Sequence, residues 1–464
     1  MSSSQEATKQ PLPNPLPRRG RQGDRALPPS FGGEGGGFWF LTLFAAEEIP
    51  ATMVTYVALL MLLQLRLAPA GATLLSALLF IPWVLKSFMR PWVRLVGRFR
   101  QVICLIEILL SAALFLLALA FRPGAAAVFP ALLLVSLLCA WHELVARMYY
   151  ESMLRPSFQR LLMVPKLVAS QVAVIFTYGA LIFLVGTLQV YFRQMIRYSW
   201  SIGCYVAAGI FLLFAFYHFV SLSKPPSLHM RLSEAKKRKP SEGSLPLERK
   251  LWRISGEVRR ESSGYERSAG SLWLPLLMLL FMLLPQGLMF HARVLYLYDT
   301  HAHGGLQCTM QEIGFAQGTV GVIAFSLGIA LGRLLINRYS LHRLFWPMAI
   351  CLVLSPFVYF GMTKFPPQSL GMLCLCTMSA QLLFGLGISI CRYPISAISG
   401  KRYRNTINML QIPLVSAVLI VPMAVSGWMT ERLGYNVYFL VNALSAPICL
   451  SFVYLFRRME AKPS

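Results

Sequence analysis

The chain has 464 residues, 56% of them hydrophobic and only 13% charged, with 43 Lys and Arg against 18 Asp and Glu. So little charge excludes an ordinary soluble domain of this length. The formal charge of +25 would suit a nucleic-acid partner, but the basic residues sit in short segments between apolar runs, where a membrane protein keeps its cytoplasmic positives, so none is expected. Apolar runs of about 20 residues recur along the whole length, each long enough to cross a bilayer core, and they do not alternate as barrel strands would. The expectation is an all-α polytopic membrane protein whose surroundings are lipid. The nine cysteines lie mostly inside apolar runs with no repeated CxxC, and read as free, buried thiols.

Residues 1–36 are rich in Pro, Gly and Arg ("PLPNPLPRRGRQGDRALPPSFGGEGGG") and cannot form a packed core. They are expected to be a disordered tail, or an upstream extension from a misplaced start codon; the mass of the mature N-terminus distinguishes the two. They contain no apolar h-region of a secretory signal. Twelve spans follow, at 37–64, 67–88, 101–121, 124–149, 163–190, 198–221, 271–297, 313–336, 343–361, 367–391, 405–428 and 433–456. The predicted units are a six-helix bundle over 37–221, a basic linker over 222–270, a second six-helix bundle over 271–456 and a tail over 457–464. The linker carries "LERKLWRISGEVRR", which suits either an amphipathic surface helix or a solvated linker.

With the N-terminus inside, the outer side holds only Arg66, Arg122, Arg193, Arg197, Arg293, Lys364 and Arg432. Every other Lys and Arg falls on the inner side, and the bias persists when the long tail and linker are set aside. Both termini and the linker are therefore expected in the cytoplasm.

The first span contains "FAAEEIPATMV", with Glu47 and Glu48 two residues before Pro50. An intramembrane charge costs about 3 kcal/mol or more at the bilayer centre and marks a functional site by default. Glu47 lies about 15 Å into its span, near the midplane. Pro50 frees the carbonyl of Ala46 and invites a bend, and bent helices near the midplane are where transporters place binding groups. Adjacent helical residues point about 100° apart, so one glutamate is expected to face a central cavity and the other a neighbouring span. A carboxyl in such a cavity is a candidate proton-exchange group. Glu107, near the start of span 3, is expected to reach back toward the cytoplasm. In span 4, "CAWHELVARMYYES" places Glu143 beside His142 and four residues before Arg147, so Glu143 and Arg147 share a face and can pair. Trp141, Tyr149, Tyr150 and Gln171 could stack on or hydrogen-bond a sugar; packing explains them equally. In span 7, His291 and Arg293 lie toward the outer end, where Arg293 reads as an interfacial anchor or as a contact for an anionic ligand. His301, His303 and Cys308 in "DTHAHGGLQC" do not have the spacing of a recognised metal site, and neither a metal nor another cofactor is expected.

Two six-span halves joined by a long cytoplasmic loop are the layout of major facilitator transporters. "RPWVRLVGRFRQ" after span 2 and "GRLLINRYSLHR" after span 8 resemble that superfamily's G-x-x-x-D-R-x-G-R-R loop signature, with Arg94 and Asn337 at the acidic position. Over most of 37–456 the chain resembles the AmpG-type muropeptide permeases of the same superfamily. "WVLKSFMRPWVR" resembles their F-K-F-L-W-S-P-L-M-D-R, "QEIGFAQGTVGVIAFSLGIALGRLLINRYSLHRLFW" their eighth helix and following loop, and "GWMTERLGYNVYFLVNALSAP" their last external turn.

That resemblance implies a role for Glu143, which falls on the first acid of the branch's S-Q-D-x-x-x-D-A-Y segment, with Arg147 on the second and Tyr149 on the tyrosine. The chain departs from the branch at Gln286, Gln317 and Gln381, amides that stand where the branch carries charged or polar residues in helices seven, eight and ten. Amides bind neutral hydroxyl and acetamido groups but relay no proton, so proton coupling is expected to rest on Glu47, Glu48 and Glu143. The substrate-binding set is then His142, Arg147, Tyr149, Gln171, Gln286, Gln317 and Gln381. The implied activity is proton-coupled import of a cell-wall-derived amino sugar or muropeptide across the inner membrane, by a monomer working through alternating access. Transport of another polar metabolite or drug, or a non-transporting assembly role on the same scaffold, remains open. No HExxH, GxSxG or paired aspartates in the spans suggest an enzyme.

Overall fold

A computed structural model describes residues 38–86, 89, 98–154, 159, 161–223, 281–339, 341–389, 404–445, 447–448, 451–452 and 454. The tails 1–36 and 457–464, the linker from 224 onward with its "LERKLWRISGEVRR" segment, and Arg94 lie outside the described residues.

The described residues are almost entirely helical. The helices in chain order are α1 Trp39–Gln64, α2 Pro69–Lys86, α3 Phe99–Ala120, α4 Ala125–Met153, α5 Met163–Tyr191 and α6 Ile196–Ser221. Then come α7 at 281–298, α8 Met310–Tyr339, α9 Leu341–Lys364 and α10 Leu370–Ile388. The last helical segment, Arg404–Leu444, is broken where Gly434 takes φ 71° and ψ 158°. Only a residue without a β-carbon reaches that region cheaply, so the segment is two spans, α11 before Gly434 and α12 after it. Among the described residues, nine helices are long and apolar enough to cross a membrane; α7, α11 and α12 complete the expected order of twelve.

Local signals set the ends. Pro69 stands in the first turn of α2, where its missing N–H costs nothing. Gly124, at φ 108°, turns α3 into α4. Thr309 and Glu312 form a reciprocal capping box at the start of α8, and Ser369 caps α10 by accepting from the Met372 amide. Three helices also widen into π turns, at Met53–Val57 in α1, Ile175–Leu181 in α5 and Gly314–Gly321 in α8. Such turns insert an extra residue and often mark functional sites.

In the first half α3 packs between α4 and α6, and α1 lies against α4 and α5. In the second, α10 packs against α8 and α9. The halves meet along two seams, α2 against α11 and α5 against α8. In the first seam Thr73 donates to the Ala424 carbonyl at 3.3 Å and the Ala70 amide donates to Glu431 at 2.9 Å. In the second the two π turns cross backbone to backbone: a β-carbon on Gly318 would overlap the Tyr178 carbonyl. Both seams lie toward the end that carries the α1–α2, α5–α6, α7–α8 and α11–α12 turns. Toward the other end, Ser326 of α8 donates to Gln171 of α5 at 2.8 Å.

The crossing makes a direct test of packing. Gly318→Ala is expected to cost about 1–3 kcal/mol by overpacking and to lower the thermal midpoint in detergent. Gly361→Ala in α9, whose β-carbon would meet nothing within 4 Å, should hold or raise it, since alanine is the better helix former by roughly 1 kcal/mol. Equal midpoints for the two variants would show that the seam is not held by close backbone contact.

Candidate functional site

A cavity of about 390 Å³ lies between the halves, lined from α1, α2, α4, α5, α7, α8, α10 and α11. Its size is within the range of small-molecule sites. The first half supplies the acids Glu47, Glu48 and Glu143, with Arg147 and Gln171. The second supplies Arg293, Gln317 and Gln381. Trp83, Phe80, Tyr56 and Tyr178 give its walls aromatic faces.

Glu143 is the most tightly held of the acids. Its Oε1 forms ion pairs with Lys86 of α2 and with Arg147, the latter at 3.2 Å, and its Oε2 accepts from the Trp83 indole at 3.0 Å. The predicted Glu143–Arg147 pair is thus present. Lys86 was not expected there: by sequence it stands at the cytoplasmic end of span 2, where a lysine would meet solvent, yet in α2 it is only 6% exposed. An apolar helix flanks Lys86 only on its N-terminal side, so nothing in its local sequence separates a buried lysine from a solvated one.

Glu47 and Glu48 both line the cavity, which is wide enough to receive two side chains about 100° apart. The expectation that only one would face it is therefore corrected. Glu47 is buried and its Oε2 has no hydrogen-bond partner, while half-buried Glu48 lies near Ser170 of α5. Neither forms an ion pair with a cation among the described residues. α1 stays helical through Pro50 and loosens only at the following π turn. Lys166 of α5 lies nearby, its ammonium 3.7 Å from the centre of the Phe44 ring, a cation–π contact that lets a lysine stay in an apolar wall.

Of the amides, Gln317 donates to the Tyr359 hydroxyl at 3.0 Å, which leaves its carbonyl oxygen available, and Gln381 lies near the same hydroxyl. Gln286 is not among the residues lining the cavity; it donates to the Leu352 carbonyl at 3.0 Å and ties α7 to α9. His142 and Tyr149 also lie behind the cavity, both fully buried. Tyr149 donates to the Ser223 carbonyl at 2.9 Å and meets Trp39 edge-on. Trp141 points away from the cavity, 40% exposed on the outside of the bundle.

Glu107 does not reach back to the cytoplasm. It is completely buried, with Oε1 3.1 Å from His142 Nε2 and 2.6 Å from His218 Nδ1. His218 in turn meets the Thr42 hydroxyl at 2.9 Å through Nε2. This chain of polar groups joins α1, α3, α4 and α6 inside the first half. It was not visible in sequence because the two histidines are 35 and 111 residues from Glu107. Arg293 is not an interfacial anchor either: it is 8% exposed, lines the cavity and lies over the Phe290 ring at 5.3 Å. His291 bridges the α2–α11 seam, with Ser76 at 3.2 Å and the Met423 carbonyl at 3.3 Å. In the α7–α8 loop His301 meets the Gly305 carbonyl and His303 meets Asp299. Among the described residues no cluster of three such side chains is placed to hold a metal.

No family model and no curated protein matches the sequence. Solved structures do match along most of the chain. A bacterial homologue of the human lysosomal transporter Spinster, in an inward-facing and occupied conformation, has 15% identity and a TM-score of 0.68, covering 92% of this chain and 97% of that one. The nucleoside transporter NupG has 13% identity and a TM-score of 0.62, covering 92% and 98%. A D-xylose–proton symporter has 11% identity and a TM-score of 0.60, covering 89% and 95%. The chain has the major facilitator fold, twelve helices in two six-helix bundles. The cavity lies between those bundles.

The ion-pair cluster makes a stability prediction. Lys86→Met strands part of the Glu143 charge and should cost about 3–5 kcal/mol, the usual penalty for breaking a buried pair. Adding Glu143→Gln should restore much of that loss in thermal unfolding. If the two losses simply add, the pair is not coupled as drawn.

Proposed function

We propose that this chain is a secondary transporter working by alternating access about the central cavity. The observation that carries the reading is that one cavity draws its walls from both halves and holds two carboxylates, Glu47 and Glu48, that form no ion pair among the described residues. A carboxylate in an apolar wall needs a neutralising partner. For Glu47 and Glu48 a proton can fill that role, and it can be exchanged as the cavity opens to one side and then the other. Glu143, clamped by Lys86 and Arg147, shares the same cavity, so its charge responds to theirs. These three acids form the proton-coupling group. The known transporters that share the fold include a sugar–proton symporter and a nucleoside transporter, which favours a small polar substrate.

Within that reading, the substrate is a cell-wall-derived amino sugar or muropeptide, imported with protons across the inner membrane by a monomer. Both termini and the linker over 222–270 lie in the cytoplasm on this reading. Its support is the resemblance of the loop and helix-eight segments to the muropeptide permeases. The lining also suits it: Gln171, Gln317 and Gln381 match hydroxyl and acetamido groups, and Trp83, Tyr56 and Tyr178 match the apolar faces of a sugar.

The test is uptake of labelled anhydro-muropeptide and of N-acetylglucosamine into proteoliposomes, with and without an inward proton gradient. Gradient-driven uptake should occur in the wild type and fall to the leak rate in Glu143→Gln and in Glu47→Gln or Glu48→Gln. Uptake indifferent to the gradient and to these changes would mean facilitated diffusion of a different kind. Absence of uptake by folded protein would favour an assembly role on the same scaffold.

A further inference from the structure

The charges around the cavity are unevenly shared between the halves. On the first-half wall, Glu47, Glu48 and Glu143 stand among the cations Lys86, Arg147 and Lys166, and these groups lie close enough to interact with one another. On the second-half wall stands Arg293, for which no carboxylate partner exists among the described residues. Its Nε is buried without a hydrogen-bond partner, although the side chain is more than nine-tenths buried. Beside it the Tyr178 hydroxyl, on a side chain 2% exposed, is also without a partner. Tyr56 packs on Tyr178 at 5.1 Å and on Phe290 at 5.0 Å, so the guanidinium sits in an aromatic enclosure. The Gln317 carbonyl and Gln381 complete that pole.

A buried guanidinium without a counter-ion is costly. The geometry offers it two faces of cavity wall and a hydroxyl donor but no anion. We propose that the pole of the cavity built on Arg293 of the second half and Tyr178 of the first is an anion subsite, so that the transported molecule carries a carboxylate or phosphate. This rests on the transport reading and narrows it: a muropeptide, with its acidic peptide, qualifies, and a free neutral amino sugar does not. Planar bidentate pairing with the guanidinium and donation from Tyr178 would fix the acid, while the amides and rings receive the rest. Coupling follows from the charge count. Adding a proton to Glu47, Glu48 or Glu143 leaves the cavity with more positive charge, which favours the anion, and by linkage the bound anion favours the proton to the same degree. The remaining titratable groups packed against the site are His291, held between Ser76 and Met423 on the side of α7 toward α2 and α11, and the tyrosines Tyr56, Tyr178 and Tyr359.

The experiment measures binding to purified full-length protein by thermal shift and by displacement, with matched acid and neutral probes. The pairs are N-acetylmuramic acid and its methyl ester, glucuronate and glucose, and uridine monophosphate and uridine. In at least one pair the acid should bind roughly tenfold or more tightly than its neutral partner in the wild type, the scale of one charge-assisted contact. Arg293→Gln should bring that ratio to near one, Arg293→Lys should keep part of it, and Tyr178→Phe should reduce it by a smaller factor. Binding of the acid should also strengthen as the pH falls toward 5. Equal affinity within every pair, no binding of any acid by folded protein, or an acid preference that survives Arg293→Gln would overturn the subsite. The two readings fail separately. Proton-driven uptake of a neutral sugar without acid preference would leave transport standing and remove the subsite, whereas acid binding through Arg293 without uptake in proteoliposomes would do the reverse.

Discussion

In a bilayer interior every charge must be answered by another charge, a proton or a ligand, because water is absent and the cost of leaving it alone is several kcal/mol. That constraint organises this chain. Glu143 is answered by Lys86 and Arg147, Glu107 by His142 and His218, and Lys166 by the faces of Phe44 and Tyr150. Apart from Arg147, which shares α4 with Glu143, each answer comes from a different helix and so also fixes how helices sit against one another. Glu107 gathers α3, α4 and α6; Glu143 holds α2 to α4. The first half is thus pinned by buried polar contacts as well as by apolar packing. Glu47, Glu48 and Arg293 are the ionisable groups at the cavity without such an answer in an ion pair among the described residues.

The two halves use different chemistry at their shared cavity. The first brings the acids together with Tyr56 and Tyr178, the second mainly amides and phenylalanines around a single guanidinium. A substrate held between them would meet hydrogen-bonding and aromatic surface on one side and titratable groups on the other. Recognition and proton exchange would then be assigned to opposite walls, and both would be complete only when the walls are close.

Much of the architecture is legible in the sequence because a membrane enforces it locally. Hydrophobic length sets the spans, and the structure places α4, α5 and α6 within a few residues of the expected limits. The i, i+4 spacing of Glu143 and Arg147 is a helix-geometry argument that needs no tertiary information, and it holds. Contacts that depend on which helix lies next to which are harder to read. Lys86 looks like a solvated helix-end residue until α2 is known to lie against α4, and Arg293 looks like a membrane anchor until α7 is known to border the cavity. His142 shows the limit most plainly: the 100° step that separates neighbours on a helix turns it toward α3 and α6 while Glu143 faces the cavity. Adjacency in sequence therefore placed these two residues in different environments. Glu47 and Glu48 went the other way, because the cavity wraps far enough around α1 to include both.

The crossing of α5 and α8 carries a mechanical consequence. At Gly179 and Gly318 the two backbones touch with no side chain between them, and both helices are in π turns there. Side chains between helices can compress, change rotamer or slide, so an ordinary interface can widen or narrow by small steps. Peptide groups in direct contact cannot. The separation of the halves at that point is fixed by van der Waals radii alone. What remains available is rotation of one helix over the other, and the enlarged π turns give each backbone a locally loosened hydrogen-bond ladder in which to accommodate it. On the alternating-access reading, the seam would act as a bearing, holding a constant gap while the bodies on either side change their angle.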